Sequence, residues 1–107
     1  MPLQKDGKTL LMRAALRGHE EVVLELLENG ASVDAADVHG RTALHNASMR
    51  GHAEIVRHLL QYGANARSRD ADGGNALKYA VVLAPKESVA ETRESLIEGG
   101  LPETTSS

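Results

Sequence analysis

A repeat of 33 residues is the feature that most constrains the fold of this chain. Gly7, Gly40 and Gly73 are spaced at this interval (40 − 7 = 33; 73 − 40 = 33). The residues after each glycine recur too, since Thr-Leu-Leu at 9–11 returns as Thr-Ala-Leu at 42–44. A period of this length is typical of arrays in which each unit buries its apolar face against its neighbours. The sequence therefore predicts three stacked units that present an extended binding surface.

Each unit is predicted to contain two helices joined by a tight turn. In the second unit, Thr42 is placed to cap the first helix through its hydroxyl group, and Gly51 is placed to end that helix. Gly63 closes the second helix. Apolar residues at i, i+1, i+4 and i+5 give the second helix one apolar stripe, which consists of Ile55, Val56, Leu59 and Leu60.

The third unit departs from the period in its second helix. The pair Leu96-Ile97 follows Leu59-Leu60 by 37 residues instead of 33, which predicts an insertion of four residues, about one helical turn. The segment 86–98 is also rich in charged residues. An array needs an end unit whose outer face tolerates water, and these features indicate that the third unit is that end.

The second unit resembles the ankyrin repeat. Its sequence reads Gly-Arg-Thr-Ala-Leu-His-Asn-Ala at 40–47, Gly-His at 51–52, Ile-Val at 55–56, Leu-Leu at 59–60 and Gly-Ala at 63–64. The first and third units have Met12 and Lys78 where the pattern has histidine, which predicts a weaker histidine hydrogen-bond network at both ends. End units of such arrays are commonly atypical.

The resemblance implies an all-α ankyrin-repeat solenoid, an L-shaped stack of three helix–turn–helix units with β-turn or hairpin fingers projecting from it. It covers residues 4–100 as one domain, with repeats at about 4–36, 37–69 and 70–100, and residues 101–107 are predicted to be a disordered tail. It also implies non-enzymatic protein–protein recognition along the fingers and the concave face of the first helices.

Composition excludes several other kinds of site. The chain has no cysteine, so it can form neither disulfides nor thiolate metal sites. Its five histidines lie at scaffold positions or at solvated positions on a turn and a second helix, without metal-ligand spacing, so we expect no metal, cofactor or catalytic residue. The formal net charge of −3 and the absence of a signal sequence or a long apolar run predict a cytoplasmic or nuclear protein without a membrane partner.

Two rows of residues are predicted to face a partner. Leu16, Met49 and Val82 are related by the repeat and form an apolar row, while Arg17 and Arg50 form a basic row beside it. Such a surface suits an acidic or amphipathic segment of a partner protein, because arginine binds carboxylates through two hydrogen bonds. The residues predicted to bind the partner are Lys8, Leu16, Arg17, His39, Arg41, Met49, Arg50, Tyr62, Arg69, Asp72, Val82 and Leu83.

Three alternatives stay open at this point. Leu24, where the next unit has Arg57, favours weak self-association of a monomeric protein through apolar stack ends or the concave row. The chain also fits a fragment of a longer array. Nucleic-acid binding through the arginine row is disfavoured by the negative net charge and by the lack of aromatic stacking platforms.

Overall fold

Six helices, arranged as three pairs, make up the part of the chain that the structure describes. The computed structural model describes residues 7–82 and 86–98, with side chains described for 7–79 and 90–98. None of these helices has the length and apolar content that crossing a bilayer requires. The helices are α1 (Leu10–Arg17), α2 (Glu20–Glu28), α3 (Ala43–Arg50), α4 (Ala53–Gln61), α5 (Ala76–Val82) and α6 (Lys86–Glu98).

The first helix of each of the first two pairs begins and ends where the repeat pattern predicted. The hydroxyl groups of Thr9 and Thr42 accept hydrogen bonds from the backbone N–H three residues later, which satisfies a free donor at each helix start. Gly18 and Gly51 follow the last helical residue in the left-handed conformation, with φ of 79° and 72°. This conformation favours glycine, so the predicted stop signals are confirmed.

The pairs stack side by side, so that the middle pair is covered from both directions. The first helices contact one another in the order α1, α3, α5, and the second helices in the order α2, α4, α6. Of the predicted stripe on α4, Ile55, Val56 and Leu59 are buried and Leu60 is half-buried. Small residues such as Ala47, which is fully buried, let neighbouring helices approach closely.

The third pair carries the predicted extra turn. Helix α6 has 13 residues, whereas α2 and α4 have 9 each, and 13 − 9 gives the four inserted residues. Leu96 is fully buried, as Leu59 is in the middle pair. Glu91, Glu94 and Glu98 are exposed, which gives this helix a water-tolerant outer side. The predicted tail at 101–107 lies outside the described residues.

The segments that precede α3 and α5 form projecting tight turns, here called fingers, at residues 37–41 and 70–74. The N–H of Asp37 donates to the Arg41 carbonyl oxygen at 2.9 Å, and the N–H of Asp70 donates to that of Gly74 at 2.9 Å. A backbone hydrogen bond joins the two fingers, from the Ala71 N–H to the His39 carbonyl oxygen at 2.9 Å. No residue of 7–82 or 86–98 is in a β-strand, so the fingers are turns.

Candidate partner-binding surface

A buried carboxylate organises the first finger. The side chain of Asp37 is fully buried, and its Oδ1 accepts hydrogen bonds from the backbone N–H of His39 at 2.8 Å and of Arg41 at 3.0 Å. Its Oδ2 accepts one from Lys8 Nζ of the preceding repeat at 2.9 Å. The same Lys8 nitrogen donates to Asn46 Oδ1 at 3.1 Å. Lys8 therefore ties the first repeat to both the finger and the first helix of the second.

The same arrangement recurs one repeat later. Asp70 Oδ1 accepts from the backbone N–H of Asp72 and of Gly74, both at 2.9 Å. Its Oδ2 accepts from Arg41 Nε at 3.3 Å and from the hydroxyl of Tyr79. The guanidinium of Arg41 also lies over the Tyr79 ring, 5.4 Å from its centre, which adds a cation–π attraction. The pairs Lys8–Asp37 and Arg41–Asp70 are here called the finger ladder.

The electrostatics of the finger ladder keep both carboxylates charged. Burial alone raises the pKa of the Asp70 carboxyl, but the hydrogen bonds from Tyr79, the Gly74 N–H and Arg41 outweigh it and lower the pKa to about 2. Burial of Asp37 is likewise outweighed by the bonds from Lys8 and two backbone N–H groups, so its pKa lies below the ordinary value. Both acids are ionised at neutral pH and act as links between repeats.

His45 forms a second link between repeats. Its buried ring accepts a hydrogen bond at Nδ1 from the Thr42 N–H at 3.1 Å, and its Nε2 lies 3.0 Å from the Gly74 carbonyl oxygen. These partners assign the proton of the neutral ring to Nε2. In the first repeat, Met12 accepts from the Thr9 N–H through sulfur at 3.4 Å but has no donor to reach the next repeat. The predicted weakening at Met12 is therefore confirmed.

Acid is expected to destabilise the fold first through His45. Its burial lowers the pKa of the ring below the ordinary value of 6.5, so the unfolded chain takes up a proton before the folded chain does. Stability is then complete above pH 6.5 and declines as the pH falls from 6.5 toward the lowered pKa. A second loss follows from 3.8 toward about 2, as Asp70 is protonated. Urea unfolding monitored by circular dichroism over a pH series measures both.

The matched variants for this prediction are His45→Gln, which cannot titrate, and His39→Gln on an exposed finger. His45→Gln is expected to be less stable at neutral pH and to lose less stability than the wild type below pH 6.5. His39→Gln is expected to follow the wild-type profile. If the free energy of unfolding declined equally steeply with falling pH in His45→Gln and in the wild type, the assignment of this pH dependence to His45 would be contradicted.

The C-terminal ends of α1 and α3 form a different kind of surface. Arg17 and Arg50 are both exposed there and, among the residues that the structure describes, neither makes an ion pair or a side-chain hydrogen bond. Together with Leu16 and His52 they line an open cleft of about 630 Å³. We call Leu16, Arg17, Met49 and Arg50 the first-helix edge; Leu16 and Met49 are both half-buried, leaving part of each apolar side chain accessible.

A family model described as ankyrin repeats, in three copies, matches residues 11–92, which is most of the chain. The chain is an ankyrin repeat protein. The comparison with curated proteins gives no match. Ankyrin repeats are generally protein–protein interaction modules and are typically not enzymes. The described residues of this ankyrin array contain no group of three or more metal-ligating side chains.

The structure separates the predicted partner-binding residues of the ankyrin array into three groups. Lys8 and Arg41 belong to the finger ladder, where 18% and 29% of their side chains remain exposed. The first-helix edge holds four more. The exposed residues elsewhere are His39, Arg69 and Asp72 on or beside the fingers and Tyr62 at the end of α4. Val82 ends α5 without a described side chain, and Leu83 lies outside the described residues.

Two features of the surface were not singled out from the sequence. The repeat predicts a scaffold role for His52, yet this residue both lines the cleft and approaches the Leu16 carbonyl oxygen, at 3.2 Å from Nε2. The buried acids Asp37 and Asp70 are not among the residues that the sequence predicts to bind a partner. A signal for these links between repeats is present in the sequence. Lys8 precedes Asp37 by 29 residues, and Arg41 precedes Asp70 by the same number.

Proposed function

We propose that this ankyrin domain is a non-enzymatic protein–protein interaction module. It binds an acidic or amphipathic segment of a partner along the first-helix edge and the fingers. The observation that carries the proposal is the cleft at the ends of α1 and α3, where Arg17 and Arg50 are exposed without a counter-ion among the described residues. Arginine in such a place offers a planar fork of donors that matches a carboxylate.

The apolar part of the first-helix edge supports an amphipathic partner. Leu16 and Met49 precede Arg17 and Arg50 directly in sequence, so each of the first two repeats contributes one apolar and one basic side chain. A helical segment with apolar anchors on one face and acidic residues next to them complements both. Methionine adapts its shape to different apolar anchors, which suits a binding surface.

The exposed residues of the fingers extend this surface beyond the first-helix edge. His39 and Asp72 lie on consecutive fingers, and Arg69 directly precedes the second one. The fingers are held in place by the buried carboxylates of Asp37 and Asp70, so these side chains project from a rigid support. The finger ladder therefore contributes to binding indirectly, by positioning exposed neighbours.

Selection of a displayed random-peptide library on the wild-type protein tests the proposal. The selected peptides are expected to be enriched in Asp and Glu next to apolar residues. Calorimetric titration with one synthetic selected peptide then measures the contribution of the arginines. The double substitution Arg17→Ala/Arg50→Ala is expected to raise Kd by about tenfold to a hundredfold, since a hydrogen bond to a charged group contributes about 1.5 to 3 kcal/mol.

A matched control exists on α4. Arg57 is 47% exposed, like an edge arginine, but it pairs with Glu54 on the second helix, away from the first-helix edge. Arg57→Ala removes the same charge as Arg50→Ala and is expected to leave Kd within about twofold of the wild type, as is usual for distant surface charges. Peptides without acidic enrichment, or equal effects of Arg50→Ala and Arg57→Ala, would overturn the assignment of the site.

A further inference from the structure

The cleft at the ends of α1 and α3 concentrates positive charge in one place. Among the described residues, its lining consists of Leu16, His52 and two arginines, and includes no carboxylate. Arg17 and Arg50 occupy equivalent positions one repeat apart (50 − 17 = 33), and both are exposed. Helices α1 and α3 pack against each other, and the axes of packed helices lie about 8 to 10 Å apart. The two long side chains can therefore reach one ligand placed between them.

His52 forms a wall of this cleft that is fixed by two contacts. Its Nε2 lies 3.2 Å from the Leu16 carbonyl oxygen, which ties the ring to the end of α1. A Cβ atom on Gly18 would lie 2.9 Å from Cε1 of the same ring, so the ring packs directly on the glycine. A ligand in the cleft therefore meets a wall that is already in place, which lowers the cost of ordering the site on binding.

The carbonyl groups at the C-terminal ends of α1 and α3 would oppose an anion if they were free. The turn after each helix engages part of them. The N–H of His19 donates to the Ala14 carbonyl oxygen at 3.0 Å, and the N–H of His52 donates to that of Ala47 at 3.0 Å. The two arginines of the cleft each carry a full positive charge, which outweighs the negative charge of about one half at a helix end. The cleft therefore favours an anion.

The surface on the other side of His52 is acidic. There His52 lines a second cleft, of about 320 Å³, together with Glu20, Glu54 and Glu91. A ligand that spreads its negative charge over a run of several residues would approach these glutamates, and like charges that meet across an interface weaken binding. A ligand with all of its negative charge in one group avoids them. The two clefts together thus favour one compact group of high charge between the arginines.

We propose that the basic cleft binds a phosphorylated side chain of the partner protein, with the phosphoryl group between Arg17 and Arg50. A phosphoryl group carries a charge of about −1.5 to −2 at neutral pH and has three acceptor oxygens, so it engages both guanidinium groups at once. A carboxylate is satisfied by one guanidinium group, through two parallel hydrogen bonds. Leu16 and Met49, beside the arginines, contact an apolar residue next to the phosphorylated one. This inference rests on the proposed function and adds that phosphorylation of the partner controls binding.

Two degenerate peptide libraries on a solid support test the proposal, at physiological ionic strength in a buffer without phosphate. One library has phosphoserine at a fixed central position and the other has glutamate there, with the same random residues on both sides. The wild-type protein is expected to bind the phosphoserine library more strongly and to select apolar residues beside the fixed position. One selected peptide is then synthesised in both forms. In calorimetric titration the phosphoserine form is expected to have a Kd at least about tenfold lower than the glutamate form.

Single substitutions test whether both arginines hold the phosphoryl group. Arg17→Ala and Arg50→Ala are each expected to reduce a tenfold preference for phosphoserine over glutamate to about threefold, since each leaves half of the binding free energy that the preference represents. The control Arg57→Ala removes an exposed arginine of α4 and is expected to keep the wild-type preference. Circular dichroism verifies that the three variants are folded. An undiminished preference in either Arg17→Ala or Arg50→Ala would overturn the placement of the phosphoryl group between them.

The two libraries also separate this inference from the proposed function. Binding to the glutamate library that equals or exceeds binding to the phosphoserine library would overturn the inference and leave the proposed function standing. Binding to neither library would overturn both. Stronger binding to the phosphoserine library, lost in part with each arginine of the cleft, would support both.

Discussion

Replacement of Asp70 by asparagine is expected to lower the free energy of unfolding by about 2 to 4 kcal/mol, more than any surface substitution in this protein. The fall in the pKa of the Asp70 carboxyl from 3.8 to about 2 alone corresponds to about 2 kcal/mol of stabilisation of the ionised form. The amide of asparagine also turns one acceptor into a donor. If its oxygen keeps the two backbone bonds, its NH₂ group faces the donors of Arg41 and Tyr79.

The matched control is Asp72→Asn, which removes the same charge from an exposed side chain of the same finger. It is expected to change stability by less than about 0.5 kcal/mol. Thermal and urea unfolding of both variants measures the difference. In a chain of this size, a loss of about 2 kcal/mol lowers Tm by roughly 8 to 16 °C, so the two variants are easily distinguished. Equal melting temperatures would show that the buried carboxylate does not hold the repeats together.

Truncation of Leu59 is expected to destabilise the stack by about 3 to 5 kcal/mol, as Leu→Ala does at fully buried positions. Leu59 lies at the centre of the described core, on the helix of the middle repeat that contacts both α2 and α6. A cavity there loosens both repeat interfaces at once. Because each repeat depends on its neighbours, the loss is expected to lower the stability of the whole array in one transition.

The adjacent leucine provides the control. Leu60 follows Leu59 on the same helix but is only half-buried, so Leu60→Ala removes the same atoms from a surface that is partly in water. Its effect is expected to be less than half of that of Leu59→Ala, on the basis of about 25 cal/mol per Å² of apolar area buried. Urea unfolding of the two variants decides this. A larger effect of Leu60→Ala would contradict the burial on which the packing of α4 is argued.

The parts of the fold that depend on local signals were predictable from the sequence. Thr42 and Gly51 act through their own backbone geometry, so the repeat pattern located the start and end of α3 correctly. The displacement of Leu96-Ile97 by four residues likewise predicted the extra turn of α6. Four residues are about one helical turn, so a helix lengthened by four residues still presents the same face to its neighbours.

The functional interpretation of the fingers was less predictable. Lys8 and Arg41 sit on projecting turns, and their position in sequence indicates exposure and partner binding. In the structure each side chain also reaches the buried acid of the next finger. This result depends on how closely consecutive fingers approach: the Ala71 N–H bonds to the His39 carbonyl oxygen, and a Cβ on Gly40 would lie 3.0 Å from Ala71 N. Such a distance between repeats cannot be read from the spacing within one repeat.

We propose above all that the first-helix edge and the fingers form the partner-binding surface. The most direct test maps the backbone amide chemical shifts of the ¹⁵N-labelled protein during titration with a selected acidic peptide. We expect the largest changes at Leu16, Arg17, Met49 and Arg50, with further changes at His39. Changes concentrated instead on the exposed residues of α2 and α4, such as Glu21 and Arg57, would contradict it.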